Sequence, residues 1–507
     1  MRARPLAVAV VALALTLVSP LPAQQGPLKG LDAYVAQALK DWDAPGLAIA
    51  VVRHDSVVFA KGYGVRELGK AEAVDANTIF AIGSTSKAFT AALLGMLVDQ
   101  GRIRWDDPVT RYLPGFQLYD PYVTREITIR DLLTHRSGLA RGDGLWAASG
   151  YSRDEVIRRV RFLKPSWSFR SQYGYQNIMF LAAGELAGRV YGKSWDEVVR
   201  QQIFEPLGMT RTRTSVDALK GMDDLATPHE RIDDAVRPVE WMNIDNIGPA
   251  GSITSSVNEM AQWVRLQLGA GSYAGRKLIE AKTVKEMHTL QMHIKPSETD
   301  EKLYPETHLQ GYGLGWALRD YRGRRIVSHG GAIRGMRAQV LLVPEEQLGV
   351  VVLTNVAESA LPTAIANRIM DLHLGQPVKD WSALYLAETK DARAKAADER
   401  KKTEAARVTG TTPSLALEKY TGIYADSMYG TVKVSQEGDH LTATFGPNYA
   451  GDLGHWHFDT FEVIWRNPVF GRAMFTFKLD AKGQVTALEV PQLTTFGKVG
   501  MTTGGAR

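Results

Sequence analysis

Strand-like sequence brackets a long helical stretch in this chain, and that order limits the folds open to it. Leu47-Ala48-Ile49-Ala50-Val51-Val52 is a continuous apolar run, His54-Asp55-Ser56 has turn chemistry, and Val57-Val58-Phe59-Ala60 returns, so residues 46–65 read as a β-hairpin. An apolar helix follows over 84–100, stopped by Gly101. From 131 to 269 the pattern is helical, broken by loops such as Glu205-Pro206-Leu207-Gly208-Met209. Strand signals resume at 312–316, 325–328, 337–343 and 350–353, and 360–374 reads as a closing helix. The order predicts an α+β domain: an antiparallel sheet built from both ends of the segment and covered by a helical insertion.

Two changes of texture mark the rest of the chain. Residues 381–407 shift to Ala, Lys, Arg and Glu, and 390–407 hold no large hydrophobe, which reads as a solvated helix or linker. After Pro413, short alternating strands at 420–424, 431–434, 441–445, 461–464 and 474–479 predict a small antiparallel sheet or barrel. At the other end, residues 1–25 read as a secretory signal: Arg2 and Arg4 precede an apolar run over 6–18, and Leu21-Pro22-Ala23 offers a cleavage site. That run is shorter than the roughly 20 residues of a membrane span; an uncleaved anchor is the alternative. The expected layout is 1–25 signal peptide, 28–380 main domain, 381–412 charged helical linker and 413–502 small β-domain. An exported protein, periplasmic or secreted and without a stable membrane span after signal cleavage, follows from it.

Composition narrows the chemistry. The 507 residues contain no cysteine, so disulfides, thiolate nucleophiles and Cys-based zinc sites are excluded. A formal charge of +5 with scattered Lys and Arg gives no reason to expect nucleic acid. There is no Gly-x-Ser-x-Gly elbow, no His-Glu-x-x-His and no phosphate loop. His455-Trp456-His457 lacks neighbouring carboxylates and reads as surface and core residues rather than a metal site. No metal and no cofactor are expected.

Three short polar motifs remain. Ser84-Thr85-Ser86-Lys87 contains the only Ser-x-x-Lys of the chain and opens an apolar helix, so serine and lysine share a face one turn apart. The positive end of the helix dipole there disfavours an ammonium and favours an alkoxide, so a lysine pushed toward neutrality could accept the serine proton. Tyr175-Gln176-Asn177 would point its first and third side chains the same way in an extended stretch. A tyrosine among cations could lose its proton below the usual value and shuttle it; a buried Tyr and a turn Asn is the plainer reading. His329-Gly330-Gly331 ends a strand-like run, where the glycines would admit a substrate to the backbone and the histidine could carry a proton or donate a hydrogen bond. A structural histidine is the alternative.

The stretch FAIGSTSKAFTA, residues 80–91, resembles the nucleophile helix of the serine β-lactamase-like family, which takes in class C β-lactamases, penicillin-binding proteins, D-aminopeptidases and esterases. Further matches follow in family order: 127–139 (ITIRDLLTHRSGL), Tyr175-Gln176-Asn177, 204–210 (FEPLGMT), Pro249-Ala250-Gly251-Ser252-Ile253, 312–316 (YGLGW) and His329-Gly330-Gly331. They cover roughly 28–375. The resemblance implies a β-lactamase/transpeptidase-like fold with Ser84 as acylated nucleophile, Lys87 as its base and Tyr175 as second proton carrier. Asn177 would orient Lys87 and the substrate amide, and the N–H groups of Ser84 and of a residue after Gly331 would form the oxyanion hole. The C-terminal module resembles a lipocalin-like barrel, which could serve as lid, substrate gate or the surface of a homo-oligomer.

One departure bears on substrate. Class C β-lactamases usually carry Lys-Thr-Gly where this chain has His329-Gly330-Gly331, and His-x-Gly is similar to the esterase and peptidase branches. Arg334 and Arg337 lie just beyond and could meet a substrate carboxylate, or stand as exposed arginines. The expectation is an exported serine hydrolase acting on a small-molecule or short-peptide substrate. Short D-amino-acid-containing peptides rank first and esters second. A class C-like β-lactamase and a non-catalytic penicillin-recognising binder are the alternatives.

Overall fold

The computed structural model describes residues 26–357, 359–375 and 377–500. The expected signal over 1–25 lies outside the described residues. Among the described residues no helix is long and apolar enough to cross a membrane.

The α+β architecture grows from the N-terminal hairpin. Helix α1 (Leu31–Asp41) precedes β1 (Gly46–Arg53) and β2 (Ser56–Gly64), joined by a tight turn at His54 and Asp55, both in the left-handed region at φ 48° and 60°. Next come α2 (Ser86–Asp99), α3 (Asn177–Tyr191) and α4 (Val257–Leu268). Apart from three two-stranded ribbons among the described residues, the strands that follow are β3 (Met292–His293), β4 (Gln310–Tyr312), β5 (Ala317–Tyr321), β6 (Arg324–Ile333), β7 (Met336–Val343) and β8 (Leu348–Thr354), then α5 (Leu361–Leu374); with β1 and β2 these six make the main sheet. They form an eight-stranded antiparallel sheet in the order β2-β1-β8-β7-β6-β5-β4-β3. The two ends of the domain meet where β1 pairs with β8, from Leu47 opposite Thr354 to Arg53 opposite Leu348.

Both faces of the central strands are covered, which is why β1 reads as an unbroken apolar run rather than an alternation. Leu47, Ile49 and Val51 belong to a core shared with α1 and α5, while Ala48, Ala50 and Val52 belong to the core shared with α2, α3 and α4. Helix α2 is buried along most of its length, from Ser86 through Leu97.

Two strand expectations change. Residues 312–316 are not one strand, because β4 stops at Tyr312 and Gly315 turns at φ 79°. A Cβ on Gly315 would stand 3.0 Å from the Lys87 carbonyl oxygen, so that turn packs directly on α2. His329-Gly330-Gly331 does not end its strand; β6 continues to Ile333.

Helix α6 (Trp381–Ala405) leaves the domain and is largely solvated beyond its second turn, where Tyr385 and Leu386 still pack against the core; its first turn is buried. There Asp371, fully buried on α5, accepts from Trp381 Nε1 at 2.8 Å and from Tyr321 Oη at 2.9 Å. The chain then forms a closed antiparallel barrel of eight strands: β9 (Gly422–Asp426), β10 (Gly430–Glu437), β11 (His440–Phe445), β12 (Tyr449–His457), β13 (Thr460–Trp465), β14 (Arg472–Leu479), β15 (Val485–Val490) and β16 (Thr494–Lys498), with β9 pairing β16. Its interior is packed with side chains: Tyr420, Tyr424, Phe461 and Phe477 meet edge-on or tilted, with ring centroids 5.0 to 5.6 Å apart. The His455 and His457 rings lie at the exposed margin, where His457 Nδ1 accepts from the Val408 N–H at 3.3 Å and His455 Nε2 lies 2.9 Å from the Phe458 carbonyl oxygen.

Candidate active site

Ser84 does not open the α-helix itself. It sits in a single 3₁₀ turn, Gly83–Thr85, that delivers the chain into α2. Gly83 takes φ 52°, and the Ser86 hydroxyl donates back to the Gly83 carbonyl at 2.7 Å, which fastens the turn. Strand β6 runs against it: a Cβ on Gly83 would stand 2.7 Å from the Ala332 nitrogen.

Lys87, one turn on, is fully buried. Its Nζ lies 2.7 Å from the Ala250 carbonyl oxygen, 2.8 Å from Asn177 Oδ1 and 3.0 Å from Ser84 Oγ. The first two partners only accept. A neutral amine has two hydrogens to give them and one lone pair left, and the remaining contact is the serine hydroxyl. Burial pushes the Lys87 pKa well below its ordinary value; the nearby Asp143 carboxylate opposes this and Arg141 adds to it. Desolvation therefore does what the sequence reading assigned to the helix dipole.

Tyr175 and Asn177 arrive from the start of α3. Gln176 caps that helix, its side chain accepting from the Ile178 N–H at 3.1 Å, so Asn177 is the first helical residue. The Tyr175 hydroxyl donates to Ser84 Oγ at 2.7 Å, and its ring lies 4.8 Å below Lys87 Nζ. The expectation of a readily ionised tyrosine is overturned. Burial raises the phenol pKa above its usual 10, and neither the Ser84 hydrogen bond nor Arg141 offsets that.

The structure thus brings Ser84, Lys87, Tyr175 and Asn177 together by hydrogen bonds, while His329 bonds to none of the four and lies near enough to Lys87 for a charge there to add to burial in lowering its pKa. His329 Nδ1 lies 2.7 Å from the Gly330 carbonyl oxygen and Nε2 2.8 Å from Tyr312 Oη. A carbonyl cannot donate, so Nδ1 carries the proton and Nε2 accepts from the phenol. Burial pushes this imidazole down to about 3, so it is neutral, and both its nitrogens are taken by Gly330 and Tyr312. Its reading as a proton carrier is corrected on that ground. The two glycines face opposite ways. Gly331 abuts Ile82, where a Cβ would meet the carbonyl oxygen at 1.9 Å, whereas Gly330 faces a cavity beneath α5 lined by Tyr321, Gln339 and Asn367. The guanidinium of Arg334 lies 4.8 Å over the Phe470 ring of the barrel. Arg337 donates to the Ile333 carbonyl at 3.0 Å.

Sequence reasoning missed the residues behind Asn177. Asp143 Oδ1 accepts from Asn177 Nδ2 at 3.0 Å and from Trp146 Nε1 at 2.8 Å, and Oδ2 accepts from Arg141 Nε at 2.5 Å. The one signal available was Arg141-Gly142-Asp143-Gly144, a charged pair interleaved with glycines in a stretch without helical or strand period.

Comparison with known proteins places the chain in a family. The Beta-lactamase family profile matches residues 31–374, and a domain of unknown function, DUF3471, matches 406–501, the barrel. The chain is 31% identical over 440 residues to the Unguisins hydrolase ungD of Aspergillus violaceofuscus, covering 80% of this chain and 76% of that one. It is 26% identical over 365 residues to the D-aminopeptidase of Brucella anthropi, covering 70% of this chain and 64% of the other. The octameric penicillin-binding protein homologue from Pyrococcus abyssi shares the fold over 92% of this chain and 99% of that one, at a TM-score of 0.61 and 21% identity. With Ser84, Lys87, Tyr175 and Asn177 converging inside the matched segment, this chain belongs to the Beta-lactamase family and carries a C-terminal DUF3471 barrel.

Proposed function

We propose that the protein is an exported serine hydrolase that works through an acyl-enzyme on Ser84. One observation carries this reading: Lys87 Nζ touches two obligate acceptors and the Ser84 hydroxyl, which leaves a neutral amine a lone pair facing the nucleophile. The Ser84 proton passes to Nζ as Oγ bonds the substrate carbonyl carbon. The developing oxyanion lies between the N–H groups of Ser84 and Ala332. Tyr175, protonated and within reach of Oγ, relays the proton to the leaving nitrogen or oxygen as its bond to carbon breaks. Water then attacks the acyl-serine, giving up a proton by the same route, and frees the acid.

The substrate class we favour is a short peptide containing D-amino acids, with small esters next. Support comes from the relatives named for unguisin hydrolysis and D-aminopeptidase activity. The neutral His329 adds to it, since the position where class C β-lactamases usually hold a lysine offers no cation to a β-lactam carboxylate. Export rests on the signal-like sequence of residues 1–25.

The test is covalent labelling of the purified protein by a fluorophosphonate, with turnover of D-alanyl p-nitroanilide, p-nitrophenyl acetate and nitrocefin measured side by side. Labelling lost in Ser84→Ala, with the anilide turned over fastest, is expected. A wild type that takes no label sinks the acyl-enzyme reading, and preference for nitrocefin sinks the substrate class.

A further inference from the structure

An amide side chain has a donor end and an acceptor end, and only its neighbours decide which end faces the lysine. Asn177 Nδ2 is 3.0 Å from Asp143 Oδ1, and a carboxylate can only accept, so Oδ1 of Asn177 is turned toward Lys87 at 2.8 Å. Were the amide reversed, its NH₂ would face the amine and compete with Ser84 for the lone pair. Asp143 in turn is held by Trp146 Nε1 and Arg141 Nε.

The segment that carries Asp143 is fitted against the barrel with no slack. A Cβ on Gly144 would stand 2.8 Å from Leu493 Cδ1 and 3.1 Å from Tyr429 Cε1, and one on Gly142 would stand 3.2 Å from Met428 Cε. On the barrel side, a Cβ on Gly446 would fall 1.7 Å from the Ala148 carbonyl oxygen. Arg159, beside this segment, donates to the Ser427 carbonyl at 2.6 Å. Met428 and Tyr429, at the turn between β9 and β10, are both buried by the contact.

We propose that Asp143 is a positioning residue of the nucleophile site, acting through Asn177, and that the barrel turn at Ser427, Met428 and Tyr429 holds it in place. The barrel is then a working part of the catalytic geometry rather than an appendage. This rests on the acyl-enzyme reading above, since labelling of Ser84 is its readout.

The experiment measures the rate of Ser84 labelling by a fluorophosphonate in the full chain. A wild type that fails to label refutes the acyl-enzyme reading itself. Given a wild type that labels, Asp143→Ala is expected to slow labelling by on the order of 10- to 100-fold, the cost of a misplaced reacting group. Asp143→Asn, which keeps an acceptor oxygen for Asn177, should recover most of the rate. In an Asn177→Ala background Asp143→Ala should have a much smaller effect, since only the direct pull of its charge on Lys87 is then left to lose. Tyr429→Ala, on the other domain, should slow labelling in the same direction and add nothing once Asp143 is gone. Labelling of Asp143→Ala at the wild-type rate, or independent multiplication of the Asp143 and Asn177 effects, overturns the proposal. Should Asp143→Ala lose its cooperative thermal transition, Asp143→Ser and Tyr429→Ala decide, and wild-type labelling in either overturns the assignment it tests.

Discussion

A Cβ on Gly331 would sit 1.9 Å from the carbonyl oxygen of Ile82, so β6 and the turn carrying Ser84 touch backbone to backbone. The glycine is what lets the strand edge approach the nucleophile. Gly331→Ala is therefore expected to push β6 off the turn by about 1 Å and to cut Ser84 acylation by about 10²-fold. Gly330→Ala meets Gln339 Oε1 at 3.4 Å and the Ala338 carbonyl oxygen at 3.8 Å, ordinary contacts on the opposite face, and should label near the wild-type rate. Labelling kinetics on the two variants separate the roles, and equal loss in both would refute this account of the motif.

The pH profile follows from two buried groups. Burial holds Lys87 well below its ordinary 10.5 and Tyr175 above its ordinary 10. In the proposed reaction Lys87 acts as the neutral amine, so kcat/KM should fall as pH drops through its lowered pKa and be full above it. Tyr175 is active as the protonated phenol, so it should impose no loss up to about pH 10. Measuring kcat/KM from about pH 5 to about pH 10 checks both signs; an acid limb near 10 would mean that Lys87 is not desolvated.

Much of this was legible before any coordinates. The N-terminal hairpin, the strands that resume after the helical stretch and the Ser84–Lys87 pair all rest on local pattern, and local pattern survives packing. What failed depended on partners far away in sequence. Tyr175 looked ionisable because its cations were visible as residue types, but the burial that outweighs them was not. His329 looked free at a strand end, yet its Nε2 is taken by Tyr312 from the next motif upstream. Asp143 carried no period and no motif, because its place is set by Asn177 on one side and by Tyr429 of the barrel beyond Gly144 on the other.

His288 supplies a test of acid stability outside the site. It is buried with its ring edge-on to Trp316 at 5.5 Å, and burial pushes its pKa down to about 3 from the ordinary 6.5. The unfolded chain binds a proton there between those values and the folded chain does not. The stability is thus full above pH 6.5 and drains away as pH falls toward 3, by about 1.4 kcal/mol per pH unit. His288→Met, of similar volume, should flatten this loss. Urea melts at pH 7 and about pH 4.5 on both proteins measure it, and parallel losses would show that His288 is not held neutral.

The buried Asp371 decides how firmly the barrel is tethered. Its carboxylate accepts from Tyr321 Oη, from Trp381 Nε1 and from the Lys379 backbone N–H at 3.1 Å, and it pairs with Arg322 Nη1 at 3.3 Å. These contacts weld the first turn of α6 to α5 and to β5; Tyr385, one turn on, still meets the Tyr304 hydroxyl with its own, and only the later turns stand in solvent. Asp371→Ala leaves the mostly buried Arg322 without that partner and Trp381 Nε1 without an acceptor, a loss of about 3–5 kcal/mol on the scale of a broken buried pair. Because the barrel also supports Asp143 through Tyr429, the variant should lose thermal stability and Ser84 labelling together. Asp371→Asn, which keeps one acceptor oxygen for Trp381, should lose less of both. Calorimetry with labelling on the same samples checks the link, and a destabilised Asp371→Ala that labels at the wild-type rate would show that the tether does not reach the site.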